Sequence, residues 1–349
     1  MKKNVKTEKM YYDRVLTPEF AQLLENGGKL RWLLEFVREK RDDLDLLIGK
    51  NKEKGSEWIS VYRGLSRCIS INPKGKIDGA KTYMDKQPRL YEGKKFDFEN
   101  ELRELLPKIK GNRNFSRYYD NHKEGFFQNE FSRKYGIKSN SDSEFVIVDK
   151  EVVIGFDNKS TKKEILEDQL KTRYRKILRK IFESFPKRYD KKIEQGPIGN
   201  ELDFLALDKN GNLLLIEFKH GSNTSGIYFS PIQIGLYYDI FNKYYEDYQK
   251  DFEDVIFKML EQKQKIGLIN PDWQCAKTIN KIIPVLVISE YNKKCSAKEK
   301  YPEIMRLCRK DFGKEFLSNI VTYNFADCQL NKFYLEPQCK SLSTAASTR

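Results

Sequence analysis

The sequence has no unbroken run of about 20 apolar residues, the length that a membrane-spanning helix needs. Its first residues, Met1 to Lys6, lead into no apolar signal segment. We therefore expect a cytoplasmic protein without a membrane partner. The chain has 349 residues, of which 39% are hydrophobic and 33% charged, so it is long enough for two domains with real cores. This composition excludes a fibrous or wholly disordered protein.

Histidine and paired cysteine are also scarce. The chain has two histidines, His122 and His220, and its six cysteines stand far apart without a C-x-x-C pair. A structural zinc site takes four such ligands, usually at short characteristic spacings. The sequence therefore offers no support for a zinc site, and we expect reduced, mostly buried thiols.

An excess of basic residues favours a polyanionic partner. Lysine and arginine number 65 and aspartate and glutamate 51, so the formal net charge is +14. Such a balance is typical of proteins that bind nucleic acid. Part of the lysine excess also accompanies a general enrichment in Asn, Ile, Tyr and Phe, so the charge by itself is a weak signal.

The first part of the chain shows helical and strand patterns in mixed order, which predicts an α+β domain. The patterns favour a short helix over residues 44–48, a hairpin over 58–71 and a second hairpin over 145–154. A polar, lysine-containing stretch at residues 157–163 favours a domain boundary. We therefore predict an N-terminal domain at residues 1–158, a second domain at 159–340 and a small, polar, disordered tail at 341–349.

A long amphipathic helix is predicted between residues 160 and 185. Its apolar residues recur at intervals of three and four and form one stripe, which consists of Leu166, Leu170, Tyr174, Ile177, Ile181 and Phe185. Lys171, Arg175 and Arg179 take the opposite side. This basic side either lies along a phosphate backbone or is a solvated helix face, because both give the same pattern.

A strand, an Asn-Gly turn and a second strand follow over residues 203–219, which predicts a hairpin. Glu217 and Lys219 lie on one face of the second strand, and Asp203 lies at the same end of the first. Two carboxylates one strand apart, with the backbone carbonyl of Phe218, can hold a hard divalent cation, and Lys219 can neutralise charge on a phosphate. The alternative is an ordinary surface ion pair, but the apolar flanks favour a sheet buried on both faces.

This arrangement resembles the PD-(D/E)XK nuclease superfamily. Asp203, thirteen residues and then Glu217-Phe218-Lys219 match the motif that these enzymes split between two adjacent strands of an α/β core. Gly199 ahead of the motif and Gln233 with Tyr237 after it look like the G-x-x-D and Q-x-x-x-Y elements of RecB-like and NucS-like members, with the glycine one residue further away than in the RecB-like form. The resemblance covers roughly residues 160–290 and implies a restriction-endonuclease-like mixed sheet flanked by helices. An apolar run at residues 282–288 predicts a final strand that would complete this sheet.

The resemblance implies further site residues. Members carry another carboxylate on the first core helix, and Glu167 fits that place best, with Glu164 one turn earlier; helix-dipole compensation is the alternative for both. Gln233 and Tyr237 would share one face of a helix that begins at Pro231. His220 follows Lys219 directly, which suggests a general base, but strand alternation points it to the opposite face, so we expect a structural or exposed histidine.

Together these features predict a nuclease that depends on Mg²⁺ or Mn²⁺ and acts on DNA, in prokaryotic defence or repair. The alternatives are a nucleic-acid-binding module that has lost activity and an RNA nuclease, because the site reads the phosphodiester and not the sugar. The N-terminal domain would select the substrate, sense a signal or bind a partner, including a second copy of the chain.

Overall fold

The computed structural model describes residues 9–51, 55–74, 77–79, 116, 118–189, 198–199, 201–312 and 320–335. Within these ranges the chain is of mixed α/β class, as predicted, and its strands form a six-stranded, a four-stranded and a two-stranded sheet. The strands are β1 (Met10–Tyr11), β2 (Asp45–Asn51), β3 (Ser56–Arg63), β4 (Ser66–Ile71), β5 (Ile77–Gly79), β6 (Phe145–Val152), β7 (Gly155–Phe156), β8 (Leu202–Asp208), β9 (Leu213–His220), β10 (Ile282–Ser289), β11 (Val321–Ala326) and β12 (Gln329–Phe333). The predicted tail at residues 341–349 lies outside the described residues.

Helices connect and cover these strands. They are α1 (Pro18–Ala21), α2 (Arg31–Glu35), α3 (Glu124–Tyr135), α4 (Lys159–Lys162), α5 (Thr172–Ser184), α6 (Thr224–Ile266) and α7 (Ala297–Phe312). A π-helical turn over Phe36–Lys40 extends α2, and a π-helical segment over Lys163–Lys171 joins α4 to α5. No helix in the described part of the chain is long and apolar enough to cross a membrane.

The six-stranded sheet has the order β12-β11-β10-β9-β8-β6. Strand β8 runs antiparallel to both of its neighbours, β6 and β9. Strand β10 runs parallel to β9 and β11, and β12 returns antiparallel to β11. The β8–β9 hairpin and strand β10 are confirmed where the sequence predicts them. Gly211 in the hairpin turn has a φ of +78°, the left-handed conformation that an Asn-Gly turn requires. The opposite end of this hairpin carries Asp203 and Glu217.

The second predicted hairpin is wrong, because residues 145–152 form one strand that pairs with β8. Asp149 and Lys150 look like turn residues in the sequence, yet both are buried within β6. Remote groups pair with both residues. The Tyr12 hydroxyl donates to Asp149 at 2.5 Å and Arg14 approaches the same carboxylate at 3.3 Å, while Lys150 donates to the Gly64 carbonyl oxygen at 2.8 Å. The predicted boundary at residue 158 therefore cuts through the six-stranded sheet, since β6 precedes it. Whether the two regions fold independently stays a prediction.

The sheet is covered on both faces. Helix α3 packs on one face, where Phe131 contacts aromatic rings of β6, β8, β9 and β11. Helices α5, α6 and α7 pack on the other face, and the predicted stripe of α5 is confirmed by the burial of Tyr174, Ile177 and Ile181. Charged groups at the end of β8 and β9 are therefore enclosed between two apolar layers.

Helix α6 begins at Thr224 and not at Pro231 as predicted. The Asn223 side chain caps the helix by accepting a hydrogen bond from Gly226 N at 3.0 Å. Pro231 lies inside the helix and lacks the N–H that would bond to the carbonyl of Ile227. The hydroxyl of Ser230 donates to that carbonyl at 2.8 Å, so the helix continues through the proline.

The four-stranded sheet has the order β2-β3-β4-β5 and packs with α1 and α2 around a second core. The predicted helix over residues 44–48 is wrong, because β2 pairs with β3 along its length and buries Leu46 and Ile48 at alternate positions. The hairpin of β3 and β4 is confirmed, with Gly64 at a φ of +58° in its turn. Ile266 and Leu268, at the end of α6, belong to the same core, so the two regions share packing.

Candidate functional site

Asp203 and Glu217 lie side by side at one end of the six-stranded sheet. The β8–β9 ladder ends at the pair Phe204 and Ile216, so the next residues do not pair through the backbone. The Asp203 carboxylate replaces that pairing and accepts a hydrogen bond from Phe218 N at 2.7 Å. Burial raises the pKa of Asp203, although Lys219, the Phe218 amide and Lys150 oppose the shift.

Glu217 and Lys219 form a buried ion pair on the same face of β9. Glu217 is 3% exposed, and its Oε1 accepts from the Lys219 ammonium group. The other carboxylate oxygen, Oε2, is buried and has no hydrogen-bond partner among the described residues. Burial raises the pKa of Glu217 to about 8. The charge of Lys219 opposes this shift, and the charges of Asp203 and Glu124 reinforce it. Burial alone would lower the pKa of Lys219, but Glu217, Asp203 and Glu124 raise it above its ordinary value.

A third carboxylate, Glu124, comes from α3 and was missed in the sequence. It is the first residue of α3, its Oε2 accepts from the backbone N of His220 at 3.4 Å, and its charge acts on both Glu217 and Lys219. Burial raises the pKa of Glu124, with Lys219 opposing and Asp203 reinforcing the shift. The sequence did carry a signal for this helix: aromatic residues recur every four positions after Glu124, at Phe127, Phe131 and Tyr135, which is a helical spacing.

The structure does not bring Glu167 to these side chains. Glu167 lies in the π-helical segment, where it pairs with Lys171 at 2.9 Å and Arg175 at 3.5 Å. The hydrogen bond from Lys171 is the main cause of the lowered pKa of Glu167. Glu164 is exposed in the same segment. A metal-binding carboxylate on this helix stays a prediction. The carboxylate that the structure places at the end of β9 is Glu124, the first residue of α3.

The predicted basic face divides in two. Arg175 and Arg179 are exposed, as a nucleic-acid-binding face requires, whereas Lys171 is 8% exposed and held by Glu167. The difference arises because Lys171 lies at the end of the π-helical segment, where the wider turn shifts the helix faces relative to a regular α-helix.

Tyr237 lies beside the carboxylates on α6. Its hydroxyl donates to the Glu201 carbonyl oxygen at 2.5 Å, and burial followed by the charges of Glu217 and Asp203 raises its pKa. A Cβ at Gly199 would come within 2.7 Å of the Tyr237 hydroxyl oxygen, so only glycine leaves room there. Gln233 lies one turn earlier and is half-buried, and its side chain makes no hydrogen bond to another described residue. Of the predicted Gln-Tyr pair, the structure thus joins Tyr237 to the site.

His220 points away from the carboxylates. Its ring stacks on Phe127 with centroids 5.5 Å apart, and Nδ1 lies 2.7 Å from the Ser222 hydroxyl. Burial lowers the pKa of His220. These contacts agree with the structural role expected from strand alternation.

Lys150 is a further charged residue that the sequence pattern did not indicate. It is 6% exposed in β6, acts electrostatically on Asp203 and donates to the Gly64 carbonyl oxygen at 2.8 Å. Burial lowers the pKa of Lys150. A Cβ at Gly64 would meet the Gly125 carbonyl oxygen at 2.4 Å, so the β3–β4 turn packs directly against the start of α3. The N-terminal sheet therefore contacts the backbone that carries Glu124.

The donor atoms of the cluster fit Mg²⁺ or Mn²⁺ in part. In the described ranges, no three His, Cys, Asp or Glu side chains form a preassembled set of metal ligands. The orphaned Glu217 Oε2, however, is a buried acceptor oxygen beside Asp203, and hard cations prefer such donors. The Phe218 N–H points towards β8, where it donates to Asp203. In an antiparallel pair the N–H and C=O of one residue point to the same neighbouring strand, so the Phe218 carbonyl oxygen also faces Asp203 and fits as a metal ligand.

Comparison of the chain with protein-family models, with curated proteins and with solved structures finds no match to any of them. The inference of function therefore depends on the residues and their geometry.

Proposed function

We propose that the protein is a metal-dependent nuclease that hydrolyses phosphodiester bonds of DNA through a site of the PD-(D/E)XK kind. The observation that carries this proposal is the buried pair of Glu217 and Lys219, in which one carboxylate oxygen has no partner in the described part of the chain and a second carboxylate, Asp203, lies alongside. A buried carboxylate with an unsatisfied oxygen is costly for a fold, so its presence favours a ligand that it binds.

In this proposal Asp203, Glu217, the Phe218 carbonyl and Glu124 would hold Mg²⁺ or Mn²⁺. Such an ion polarises a phosphoryl oxygen and lowers the pKa of a coordinated water. Asp203 is only half-buried, which supports it as the group nearest to solvent and substrate. Glu217 lies deeper and would fix the position of the cluster relative to the sheet.

Lys219 supplies the positive charge of the reaction. Its raised pKa keeps the ammonium group protonated at neutral pH, so it acts as a hydrogen-bond donor and not as a base. An ammonium group next to the carboxylates can orient the attacking water or neutralise charge that develops on the phosphate. Tyr237, held by the Glu201 carbonyl, would limit how the substrate approaches.

DNA is the proposed substrate because the net charge of +14 and the exposed Arg175 and Arg179 favour an extended polyanion. RNA shares this chemistry and is an outcome of the experiment below. An inactive binding module is disfavoured because Asp203, Glu217 and Lys219 all occupy the same end of the sheet.

The test incubates the purified chain with supercoiled, linear and single-stranded DNA and with RNA, in Mg²⁺, Mn²⁺ or a chelator. We expect cleavage of DNA that the chelator abolishes. Glu217→Ala and Asp203→Ala should lose both cleavage and calorimetric Mn²⁺ binding, Lys219→Met should lose cleavage but retain Mn²⁺ binding, and Glu246→Gln at an exposed position of α6 should behave as wild type. Full activity in Glu217→Ala would overturn the proposal, and a wild type that binds DNA without binding metal or cutting would favour the inactive module.

A further inference from the structure

A cavity of about 220 Å³ opens next to the carboxylate cluster. It lies between the residues after β6, the π-helical segment and α6. Its apolar floor includes Ile154, Phe156 and Phe241, and Lys162 and Lys171 line it with their basic side chains. Val153, which is 41% exposed, also lines it and marks an opening to solvent.

The cavity and the proposed catalytic site share a wall. Tyr237 and Glu201 line the cavity, and the hydrogen bond between them fixes the Tyr237 ring in place. The same tyrosine is close enough to Glu217 and Asp203 for their charges to act on it. A group bound in the cavity would therefore lie one side chain away from the carboxylates.

The size and lining of the cavity select one kind of occupant. Its volume is below the 300 to 1,000 Å³ typical of sites for drug-sized ligands and far above the roughly 30 Å³ share of one water, so it suits a single ring system. Aromatic and aliphatic side chains form the floor, as in pockets that hold unstacked bases. The exposed Lys162 at the side can contact an adjacent phosphate, since ammonium groups bind phosphates as point charges.

We propose that this cavity receives one unstacked base of the nucleic-acid strand, next to the phosphodiester that lies at Asp203 and Glu217. This inference rests on the proposed nuclease function and adds that the enzyme takes a base out of the stack near the cut. Single-stranded or distorted nucleic acid is then the favoured substrate class, because unstacking costs least there.

The test combines a change in the cavity with a change in the substrate. Val153→Trp places a larger side chain at the opening of the cavity, where the exposed Val153 leaves room for it. Substrates are oligonucleotides of one sequence in which each position near the cut is replaced in turn by an abasic residue. For wild type we expect one abasic position to reduce kcat/KM by about 5- to 150-fold, the range that stacking of one base represents.

The Val153→Trp variant should cut the intact substrate as poorly as the wild type cuts the sensitive abasic substrate. Cleavage of that abasic substrate by Val153→Trp should show little further loss, because both changes remove the same interaction. Tyr334→Trp is the matched control, because it adds the same ring at a 59% exposed position after β12, at the opposite edge of the sheet. It should keep the full sensitivity to the abasic position. Thermal unfolding establishes that both variants are folded.

A second pair of variants probes the basic rim. Lys162→Gln should raise KM with little change in kcat, whereas Lys163→Gln, its exposed neighbour that does not line the cavity, should change neither. If Val153→Trp retains the wild-type ratio between intact and abasic substrates, the base site is refuted while the nuclease function stands. If wild type cuts no substrate, the proposed function fails first.

Discussion

The ammonium nitrogen of Lys150 donates a hydrogen bond to the carbonyl oxygen of Gly64 at 2.8 Å, which joins the edge strand β6 to the turn of the N-terminal hairpin. The same ammonium group acts on Asp203. The N-terminal sheet is thus linked to the carboxylate cluster through one side chain, in addition to the contact of Gly64 with the start of α3.

Replacing Lys150 tests this link. Lys150→Met should lower the free energy of unfolding by about 1 to 3 kcal/mol, because the Gly64 carbonyl loses its buried donor. It should also reduce cleavage at least tenfold at neutral pH, since the pKa of Asp203 rises when the nearby cation is removed. Raising the pH should restore part of the rate. Lys209→Met in the exposed hairpin turn is the control, and a pH–rate profile identical to wild type would contradict the role of Lys150.

The position of Glu124 leads to a second prediction. Glu124→Gln should reduce metal-dependent cleavage by on the order of 100-fold or more, because it removes a carboxylate charge from the cluster at nearly constant volume. Glu167→Gln should stay within about twofold of wild type, since Glu167 pairs with Lys171 and Arg175. Single-turnover cleavage and calorimetric Mn²⁺ binding measure both. The reverse order of effects would support the helix at residues 160–185 as the source of the third carboxylate.

The raised pKa of Glu217 predicts how stability depends on pH in a chelator. The pKa of Glu217 is 4.5 in the unfolded chain and about 8 in the folded one. Between these pH values the folded protein keeps the proton on Glu217 and the unfolded chain has lost it. The free energy of unfolding of wild type should therefore fall relative to Glu217→Gln as the pH rises through this window, and the difference should level off above it.

The expected size of this change is up to about 5 kcal/mol, since the unfolded pKa of 4.5 and the folded pKa of about 8 differ by about 3.5 and each pKa unit corresponds to about 1.4 kcal/mol. Urea unfolding at several pH values measures it. Glu164→Gln, at an exposed position, should run parallel to wild type across the whole range. A Glu217→Gln curve that is also parallel to wild type would contradict the raised pKa.

The exposed arginines of α5 predict a salt effect on binding. Neutralising Arg175 and Arg179 together should reduce the slope of log K against log salt by about 1 to 2 units on duplex DNA, because each lost phosphate contact removes about one released counterion. Lys250→Gln with Lys258→Gln, two exposed lysines of α6, should leave the slope unchanged. Fluorescence anisotropy in the presence of a chelator measures binding without cleavage. An unchanged slope in the arginine variant would mean that this face is only solvated.

The shared packing predicts that the chain unfolds in one cooperative transition. Asp149, Lys150 and the end of α6 have partners in the N-terminal region, so the six-stranded sheet would expose buried charges if that region unfolded alone. Tryptophan fluorescence of a Trp273→Phe variant reports only the N-terminal Trp32 and Trp58, and circular dichroism of the same variant reports the whole chain. Coincident urea midpoints are expected. Separate midpoints would instead support the predicted division into two independent domains near residue 158.

Local features in the sequence were sufficient to predict the β8–β9 hairpin, strand β10 and the buried stripe of α5. Alternation, helical spacing and an Asn-Gly turn all act over a few neighbouring residues, so they survive without knowledge of the fold. The same hairpin brings Asp203, Glu217 and Lys219 to one end, because a tight turn fixes which residues face each other.

The remaining features were decided by tertiary structure. Asp149 and Lys150 look like a polar turn in the sequence, yet Tyr12, Arg14 and Gly64 provide the partners that allow both charges inside a strand. Likewise, Glu124 and Glu167 are both acids near the start of a helix, and local propensity does not distinguish them. Only the packing of α3 at the end of β9 selects Glu124, because contacts between residues distant in the sequence depend on how the layers assemble and not on the residues next to them.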